Sequence, residues 1–262
     1  MIDDLDPERL RERMRGTWGA SLSVLDSTES TMDDASNAAR SGAAEGHLVV
    51  ADQQSRGRGA HGRQWVSPSG TDLYFSIVTR PTVEPRSTPL ITLATGLGVR
   101  DAVAELLPNR TVRVKWPNDI WVEGRKCAGI LVESRVVGTK LEAIILGVGL
   151  NVNRTEWPPE LEGIATSLRL EAPKGRALDR ADVLVALVSH IERWVTRFIR
   201  DGAGALLDAL RPHLALVGAP IRWEAGRGVF EGIDDHGAAR VRTEAGVRAL
   251  HAARIEREPD GG

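Results

Sequence analysis

Two long segments of the chain carry apolar residues at the spacing of an α-helix that is buried along one face. The first spans residues 88–107 and the second spans Asp179–Arg200. Their apolar positions are Leu90, Leu93, Ala94, Leu97, Ala102, Val103, Leu106 and Leu107 in the first, and Val183, Leu184, Leu187, Val188, Ile191, Trp194, Val195 and Phe198 in the second. We interpret the second set as core and not as a ligand-binding group.

Two shorter helices are expected near the start of the chain. Residues 7–16 are typical of a short, highly charged helix. Further on, Ser30-Thr31 is followed by Asp33-Asp34, so cap residues precede acids in a first helical turn. This order predicts a helix that runs to about Ser41.

Several short, mostly apolar runs predict strands in the interior of one sheet. They are His47–Ala51, Leu73–Val78, Thr111–Lys115, Cys127–Ser134 and Leu141–Asn151. Residues 152–178, between the last of these runs and the second long helix, read as loop, with Trp157-Pro158-Pro159 as the clearest break.

After Gly218 the pattern changes to short strands that alternate with turn signals. The expected strands are Pro220–Glu224, Gly228–Ile233, Ala238–Arg242 and Val247–His251. This spacing is typical of a small β-barrel of about forty residues. We therefore expect a large domain over residues 1–215, a small one over 216–257, and a frayed tail over 258–262.

Composition narrows the class of protein. The 262 residues are 42% hydrophobic with a net charge of −2, which gives a sizeable core and argues against a dedicated nucleic-acid binder. The single cysteine, Cys127, excludes an internal disulfide framework and a cysteine-rich metal site. No apolar run reaches the length of a membrane span, and the acidic start is not a secretory signal. We expect a cytoplasmic protein without a membrane partner.

The candidate chemistry lies in two polar segments. Arg56–Trp65 combines three glycines with three arginines, and Lys115–Asp119 reads Lys-Trp-Pro-Asn-Asp. Glycines let backbone amides close around a ligand, and guanidinium groups suit carboxylate and phosphate. Because the first segment is a single copy between two predicted strands, an ordered anion-binding loop is favoured over a solvated loop or an RNA-contacting loop.

These motifs resemble those of biotin–protein ligases. The family's glycine- and arginine-rich loop stands here at Gly57–Trp65, its Lys-Trp-Pro-Asn-Asp element at Lys115–Asp119, and its Lys-x-Ala-Gly-Ile-Leu-x-Glu strand at Lys126–Glu133, followed by Gly147–Asn153. The resemblance covers roughly residues 25–155 in the same order. It implies an α/β (α+β) catalytic domain built on a mixed sheet like that of class II aminoacyl-tRNA synthetases, followed by an SH3-like barrel. The chain leaves no room for the helix-turn-helix of some members, so it resembles the short form that does not bind nucleic acid.

The resemblance implies a two-step reaction on two substrates, ATP and biotin. Biotin and ATP form biotinyl-5′-AMP and pyrophosphate with the help of Mg²⁺, and a lysine of a carboxylase's biotin carboxyl-carrier domain then takes the biotin and releases AMP. Pairing into a homodimer through the catalytic sheet is also implied. Two rival functions stay open: a lipoate–protein ligase-like acyl-adenylating enzyme, and a biotin-binding paralogue without turnover.

Site residues follow from the same match, position by position. Lys126 and Arg58 are implied to be catalytic. The implied ATP-binding residues are Arg58, Arg63, Trp65, Asn118, Asp119, Lys126 and Asn151, with Asp119 also holding Mg²⁺. The implied biotin-binding residues are Ser30, Thr31, Met32, Gln54, Gly57, Arg58, Lys126, Gly129 and Leu131. Ser27-Thr28 repeats the Ser-Thr pair three residues earlier, but Ser30-Thr31 lies directly at the predicted helix start.

Two positions depart from the family pattern. Met32 stands where the family usually has asparagine, and Ala60 stands where it has an arginine that holds the adenylate. Loss of a charge-assisted contact with an anion removes on the order of 1.5–3 kcal/mol. We therefore expect an enzyme that forms the adenylate but retains it weakly, unless His61 or Arg56 supplies the missing contact.

Overall fold

A seven-stranded mixed sheet forms the larger part of the protein in a computed structural model, which describes residues 4–138 and 140–258. The strand order is β1-β2-β3-β7-β6-β5-β4, with β1 and β2 parallel and the remaining neighbours antiparallel. The strands are β1 Leu22–Thr28, β2 His47–Gln54, β3 Leu73–Thr79, β4 Val112–Lys115, β5 Asp119–Val122, β6 Arg125–Val137 and β7 Lys140–Leu150. The expected α/β fold with a mixed sheet is confirmed.

Helices cover both faces of this sheet. They are α1 Pro7–Arg13, α2 Thr31–Arg40, α3 Thr88–Leu106, α4 Leu168–Glu171, α5 Arg180–Asp201 and α6 Ala203–Leu210. On one face α3 and α5 pack closely because Gly98 has no side chain. A Cβ atom at this position would come within 2.7 Å of the Ile191 Cα atom. On the other face, the small and flexible side chains of α2 pack on β2, β3 and β7. Every residue of β3 is buried as a result, which explains its uninterrupted apolar sequence.

The N-terminal segment packs against α5. The Asp6 carboxylate accepts a hydrogen bond from the Arg9 backbone N–H and caps α1, which ends at Arg13, three residues before the predicted end. Leu10 is fully buried, and Arg9 pairs with Asp179, the residue that caps α5. The buried Leu10 and the Arg9–Asp179 pair together fix α1 against α5.

A second, five-stranded antiparallel sheet follows Gly218. Its order is β11-β10-β9-β8-β12, with strands β8 Pro220–Trp223, β9 Gly226–Ile233, β10 Ala239–Thr243, β11 Gly246–Leu250 and β12 Glu256–Arg257. The Trp116 indole donates to the Gly237 carbonyl at 2.9 Å and so joins the two sheets. The Glu258 amide donates to the Pro220 carbonyl at 3.0 Å, so the predicted frayed tail does not begin at Glu258. Residues 259–262 lie outside the described residues, and the limits 1–215 and 216–257 stay a prediction.

Five elements were not expected from the sequence: β1, α4, β5, α6 and β12. Strand β5 pairs with both β4 and β6, and its link to β6 is the tight turn at Glu123-Gly124, where both residues have positive φ. Helix α6 directly follows α5, whose end is marked by Gly202 at φ 80°. Strand β12 belongs to the second sheet but reaches the first. Within residues 4–138 and 140–258, no helix combines the length and apolar character needed to cross a membrane.

Candidate active site

A cavity of about 480 Å³ opens on the face of the large sheet that carries α2. Its walls come from the start of α2, the loop between β2 and β3, strands β5 to β7, the segment after β7, and the chain around β12. The following predicted site residues line it: Ser30, Thr31, Met32, Arg58, Arg63, Trp65, Gln54, Asn118, Asp119, Lys126, Gly129, Leu131 and Asn151. The fold thus brings together segments more than a hundred residues apart, while the individual roles of these residues remain predictions.

Gly57 is the predicted site residue that does not line the cavity. A side chain at this position would lie 2.5 Å from the Trp65 carbonyl oxygen and 2.9 Å from the Gln54 side-chain nitrogen. The Trp65 amide donates to the Gly57 carbonyl at 2.8 Å. Gly57 therefore lets the two ends of the loop approach each other. It affects the cavity only through the positions of Trp65 and Gln54, which line it.

Glycines pave the floor of the cavity, which we define as Lys126, Gly129, Gly147 and Gly149 on β6 and β7. Gly129 and Gly149 are directly opposite each other across the two strands. A side chain at Gly149 would lie 2.5 Å from the Trp65 ring, and one at Gly129 would lie 2.9 Å from it. The indole of Trp65 can therefore lie flat on the sheet only because both positions lack a Cβ atom.

The end of the cavity at α2 is polar and uncharged. The Thr31 amide donates to the Gln54 Oε1 atom at 3.0 Å, and the Gln54 Nε2 atom donates to the Ser67 hydroxyl at 2.9 Å. Ser30 is buried, and its hydroxyl has no hydrogen-bond partner among the described residues. Neutral donors and acceptors of this kind suit an uncharged polar ligand group. Ser27-Thr28, the alternative pair, does not line the cavity.

Met32 lines the same end of the cavity, next to Gly147. It is 3% exposed, and a Cβ atom at Gly147 would overlap its sulfur, so a side chain there would require Met32 to move. The thioether therefore fills the space above a floor glycine. The departure from asparagine at this position replaces a polar wall with an apolar one.

The opposite end of the cavity is cationic. The Lys126 Nζ atom lies 2.6 Å from the Asp119 carboxylate, and Lys115 lies 3.6 Å from the same carboxylate. Lys126 also lies over the Trp65 ring, 5.3 Å from its centroid. Burial lowers the pKa of Lys115, and the nearby Lys126 and two arginines lower it further against the effect of Asp119. One carboxylate shared by two lysines leaves excess positive charge, so this end attracts anions.

Asp119 also bears on the predicted Mg²⁺ site. No cluster of three or more histidine, cysteine or acidic side chains is present in the described part of the chain. Mg²⁺ in nucleotide-dependent enzymes needs only one or two carboxylates, since phosphates and water supply the other ligands. The donor set around Asp119 fits an ion held mainly by a nucleotide.

The covering loop, defined as residues 56–65, folds back on itself above the floor. The Gly59 amide donates to the Arg63 carbonyl at 2.8 Å, and the turn between them contains His61 at φ 59°. Arg58 pairs with Asp33 at 2.8 Å and with Glu133, both of them partly exposed. Ala60 lines the cavity, whereas neither His61 nor Arg56 does.

Asn151 and Asn118 both line the cavity, and the side-chain NH₂ group of each donates a hydrogen bond to a backbone carbonyl. The Asn151 Nδ2 atom donates to the Thr166 carbonyl at 2.9 Å, and the Asn118 Nδ2 atom donates to the Ile130 carbonyl at 2.8 Å. Each side chain is thereby fixed in direction. Their remaining amide oxygens are the groups left for a ligand.

Several lining residues were missed by sequence reasoning. They are Gln64, Val66, Lys115, Trp121, Ile130, Gly147, Val148, Gly149, Arg154, Trp157, Glu160, Leu161, Ile164, Ala165 and Arg254–Arg257. Trp157 carried a signal, because a tryptophan in a polar loop directly after a strand rich in glycine needs a surface to cover. No sequence signal predicted that Arg254–Arg257 lines the cavity, since only the contact between the two sheets brings this segment to it.

Comparisons with known proteins agree with this geometry. The model of the Biotin/lipoate A/B protein ligase family matches residues 24–151. The chain is similar to the bifunctional ligase/repressor BirA of Bacillus subtilis, at 34% identity over 89% of this chain and 72% of that protein. It is also similar to the biotin–[acetyl-CoA-carboxylase] ligase of Mycobacterium tuberculosis, at 33% identity over 94% of this chain and 92% of that protein. The biotin protein ligase of Aquifex aeolicus in complex with biotin and ATP superposes with a TM-score of 0.78, at 27% identity, over 91% and 99% of the two chains.

Proposed function

The chain belongs to the biotin/lipoate A/B protein ligase family, and we propose that it is a biotin–protein ligase. It joins biotin and ATP to form biotinyl-5′-AMP and pyrophosphate, and it then transfers biotin to a lysine of a carboxylase's biotin carboxyl-carrier domain. One observation carries this proposal. A single cavity joins a neutral polar end at Thr31 and Gln54 to a cationic end at Lys126, with a glycine floor between them.

The first step brings two anions together. A carboxylate oxygen of biotin attacks the α-phosphorus of ATP, and the bond to the pyrophosphate oxygen breaks. Lys126, Lys115 and Arg63 line the cavity where this charge concentrates. Their cations offset the repulsion between the reactants and stabilise the charge that develops in the transition state. Mg²⁺, when bound beside Asp119, supplies further charge neutralisation on the phosphates.

The second step transfers the acyl group. The neutral amine of the acceptor lysine attacks the carbonyl carbon of the mixed anhydride, the bond to the phosphate oxygen breaks, and AMP leaves with its negative charge. The amine loses a proton as the amide forms. Lys126 stays beside the same phosphate and stabilises the leaving group.

The neutral end of the cavity is proposed to hold the ureido ring of biotin. Ser30, Thr31 and Gln54 offer hydroxyl and amide groups there, and the buried Ser30 hydroxyl is free to bond a ligand among the residues described. Gly129 and Leu131 leave space along β6 for the bicyclic ring and valeryl chain. Trp65, packed against Gly129 and Gly149 with the Lys126 ammonium near its ring, offers a flat surface to the adenylate.

Weak retention of the adenylate is the finer part of the proposal. Ala60 lines the cavity with a methyl group, and the Arg63 Nε atom donates to the Ala60 carbonyl at 3.2 Å. Since neither His61 nor Arg56 lines the cavity, neither of these two residues stands in for the absent arginine at position 60. Released adenylate would modify lysines of bystander proteins.

The proposal also includes the setting in which the enzyme works. The enzyme is proposed to act in the cytoplasm without a membrane or nucleic-acid partner, and the net charge of −2 supports the absence of nucleic acid. Homodimerisation through the catalytic sheet is the proposed assembly. Light scattering of the purified protein with and without biotin and ATP reads the assembly directly. A monomer under both conditions would remove the dimer from the proposal and leave the activity untouched.

The activity is tested with purified protein, MgATP and a carrier domain. We expect the mass of the carrier domain to rise by one biotin with biotin as the acid and to stay unchanged with lipoate. A carrier domain whose acceptor lysine is replaced by arginine is the matched control. Transfer of lipoate but not biotin would make the chain a lipoate–protein ligase, and ligand binding without pyrophosphate release would make it a binding paralogue.

A further inference from the structure

Lys126 lies at a break in the regular pairing of strand β6. The register with β5 shifts there, so that Cys127 is the extra residue of a β-bulge between Lys126 and Ala128. On a regular strand Lys126 and Gly129 would face opposite sides, because side chains alternate and these two residues are three apart. The bulge puts both residues on the same side, and both line the cavity.

The large sheet holds the Lys126 backbone on one side only. Strand β7 ends at Leu150, so Lys126 lies two residues beyond the last pair between β6 and β7. The segment 164–166 occupies the place of β7 there. The Lys126 amide donates to the Ile164 carbonyl at 2.9 Å, and the Thr166 amide donates to the Lys126 carbonyl at 2.8 Å. The direction of the Lys126 side chain therefore depends on where this segment lies.

Glu171 ties the segment 164–166 to the start of β6. It lies on the short helix α4 and is only 3% exposed. Its Oε1 atom accepts hydrogen bonds from the Thr166 hydroxyl at 2.7 Å and from the Arg125 Nη2 atom at 2.6 Å. Since Arg125 directly precedes Lys126 and Thr166 bonds the Lys126 carbonyl, one carboxylate oxygen joins the two stretches of chain that flank the lysine.

The Glu171 carboxylate is itself held in place. The Arg110 Nε atom donates to the Glu171 backbone carbonyl at 2.9 Å and lies 3.6 Å from the Oε2 atom. A buried carboxylate needs partners of this kind, because burial without them is costly. Neither Glu171 nor Thr166 lines the cavity, so any effect on the reaction passes through Lys126 or another wall residue.

We propose that Glu171 is a positioning residue for Lys126 in the formation of the adenylate. The inference rests on the proposed function, because it takes from it the role of Lys126 beside the reacting carboxylate and α-phosphate. Glu171 holds the segment 164–166 against β6 and so keeps the bulge and the lysine ammonium in one orientation. A displacement of the ammonium by about 1 Å lowers the rate by up to about a hundredfold while the substrates still bind.

The first test is whether kcat falls while both KM values stay unchanged. Glu171→Gln keeps the size of the side chain but removes its charge, which weakens the bonds from Thr166 and Arg125. We expect kcat for pyrophosphate release to fall about tenfold, with KM for biotin and KM for ATP within about twofold of the wild type. Loss of an interaction made only in the transition state gives this split, whereas a distorted binding cavity raises KM.

Two substitutions at Thr166 separate the hydroxyl bond from packing. Thr166→Val has nearly the same shape and removes the hydroxyl that bonds Glu171, so we expect kcat to fall about fivefold. Thr166→Ser keeps the hydroxyl and should lose no more than about twofold. Rescue by serine but not by valine assigns the effect to the bond with Glu171.

A double variant tests whether Glu171 acts through Lys126. Glu171→Gln combined with Lys126→Ala should have a kcat within about twofold of Lys126→Ala alone, because the group to be positioned is absent. Asp101→Asn is the control for a carboxylate lost elsewhere. Asp101 lies on α3, on the other face of the sheet, and accepts hydrogen bonds from Trp194 at 2.8 Å and Arg100 at 2.9 Å. The control variant should keep kcat within about twofold of the wild type.

Hydrogen exchange reads the same contact without any turnover. The amides of Lys126 and Thr166 are the two donors that join β6 to the segment 164–166. Glu171→Gln should speed their exchange about tenfold, whereas Asp101→Asn should leave it unchanged.

The outcomes are distinct. An unchanged kcat in Glu171→Gln, multiplicative effects in the double variant, or an equal loss in Asp101→Asn overturns the inference. If Glu171→Gln does not fold by circular dichroism, the Thr166 variants decide, and equal kcat values for valine and serine overturn it. If the wild type shows no turnover, the proposed function fails separately, and unchanged amide exchange in Glu171→Gln overturns the positioning role.

Discussion

The floor of the cavity and the covering loop differ in how they are held. Lys126, Gly129, Gly147 and Gly149 lie on strands β6 and β7, which pair with each other from Ala128 to Val137 in the interior of the strand order of the large sheet. The covering loop is held by exposed ion pairs such as Arg56–Glu29 and Arg58–Glu133, with side chains that are 39–72% exposed. Exposed pairs of this kind each contribute about 0–1 kcal/mol.

This difference suggests separate roles for the two regions, one in forming the adenylate and the other in retaining it. A rigid sheet holds the reacting groups within the narrow tolerance that catalysis needs. A loop held by weak ion pairs can open for biotin and ATP and close afterwards. The floor should therefore control the rate of adenylate formation, and the loop should control how long the adenylate stays.

The largest expected effect comes from the floor lysine. Lys126→Ala removes the cation nearest the proposed reaction centre and should lower kcat for adenylate formation about 10²- to 10³-fold. Pyrophosphate release under saturating biotin and MgATP measures it. Lys140→Ala, an exposed lysine at the start of β7, is the matched control and should retain full activity. A loss below about fivefold for Lys126→Ala would move the reaction centre elsewhere.

Gly149→Ala tests the floor without changing charge. Its methyl group would meet the Trp65 ring at 2.5 Å, so the indole must move off the sheet. Overpacking of this kind costs about 1–3 kcal/mol, and we expect adenylate formation to fall by on the order of a hundredfold at the upper end of that range. Gly124→Ala, at the β5–β6 turn outside the cavity, controls for strain in the sheet. Equal activity of Gly149→Ala and the wild type would show that Trp65 does not need the floor.

The loop prediction concerns retention. Ala60→Arg adds a charge-assisted contact with the adenylate, so its dissociation should slow at least tenfold, corresponding to about 1.5 kcal/mol or more, with little change in the rate of formation. Release of labelled biotinyl-5′-AMP on dilution and biotinylation of a bystander protein both report it. Ala60→Lys tests whether a positive charge alone suffices without the guanidinium group of arginine. Ala60→Met tests whether an uncharged side chain of similar size suffices. Unchanged release and bystander labelling would contradict weak retention.

A smaller effect follows from the pH dependence of Lys115. Burial lowers its pKa, so its charge is lost at a lower pH than the ordinary 10.5, and affinity for ATP should fall as pH rises toward that value. We expect KM for ATP to increase a few-fold in the wild type as the pH rises toward 10.5. Arginine stays charged throughout, so Lys115→Arg should flatten the rise. Superimposable profiles would assign the titration to another group.

The smallest effect is expected at Arg56. Its pair with Glu29 is exposed, and it does not line the cavity. Arg56→Ala should change neither adenylate formation nor release by more than about twofold. A larger increase in release would mean that the Arg56–Glu29 pair contributes more to holding the loop than an ordinary exposed ion pair does.

Sequence alone predicted the two strands of the floor and two of its four residues, Lys126 and Gly129, for a physical reason. The apolar runs of β3, β6 and β7 predict interior strands, and a lysine and glycines at fixed spacing on a strand must share its faces in a set order. The long helices were predicted with ends within a residue or two, because their buried faces repeat at helical spacing. The strand β5 was missed, since its four residues directly follow a Pro-Asn pair that reads as a turn.

Other parts of the cavity depend on contacts that no local pattern encodes. Arg154 takes its position from Asp72, which lies more than eighty residues earlier in the chain. Arg254–Arg257 reaches the cavity through the packing of the second sheet on the first, including the Trp116–Gly237 hydrogen bond. Gly57 was expected to touch the ligand, but the space around it is filled by Trp65 and Gln54.

The most direct test of the account is the product of the first step. Protein incubated with biotin and MgATP, without any acceptor, should yield biotinyl-5′-AMP and pyrophosphate in equal amounts by mass spectrometry, and Lys126→Ala should yield neither at a comparable rate. Equal amounts in the wild type together with loss in the variant would establish one cavity that joins biotin to the nucleotide. Absence of biotinyl-5′-AMP from the wild type, or full activity in Lys126→Ala, would contradict it.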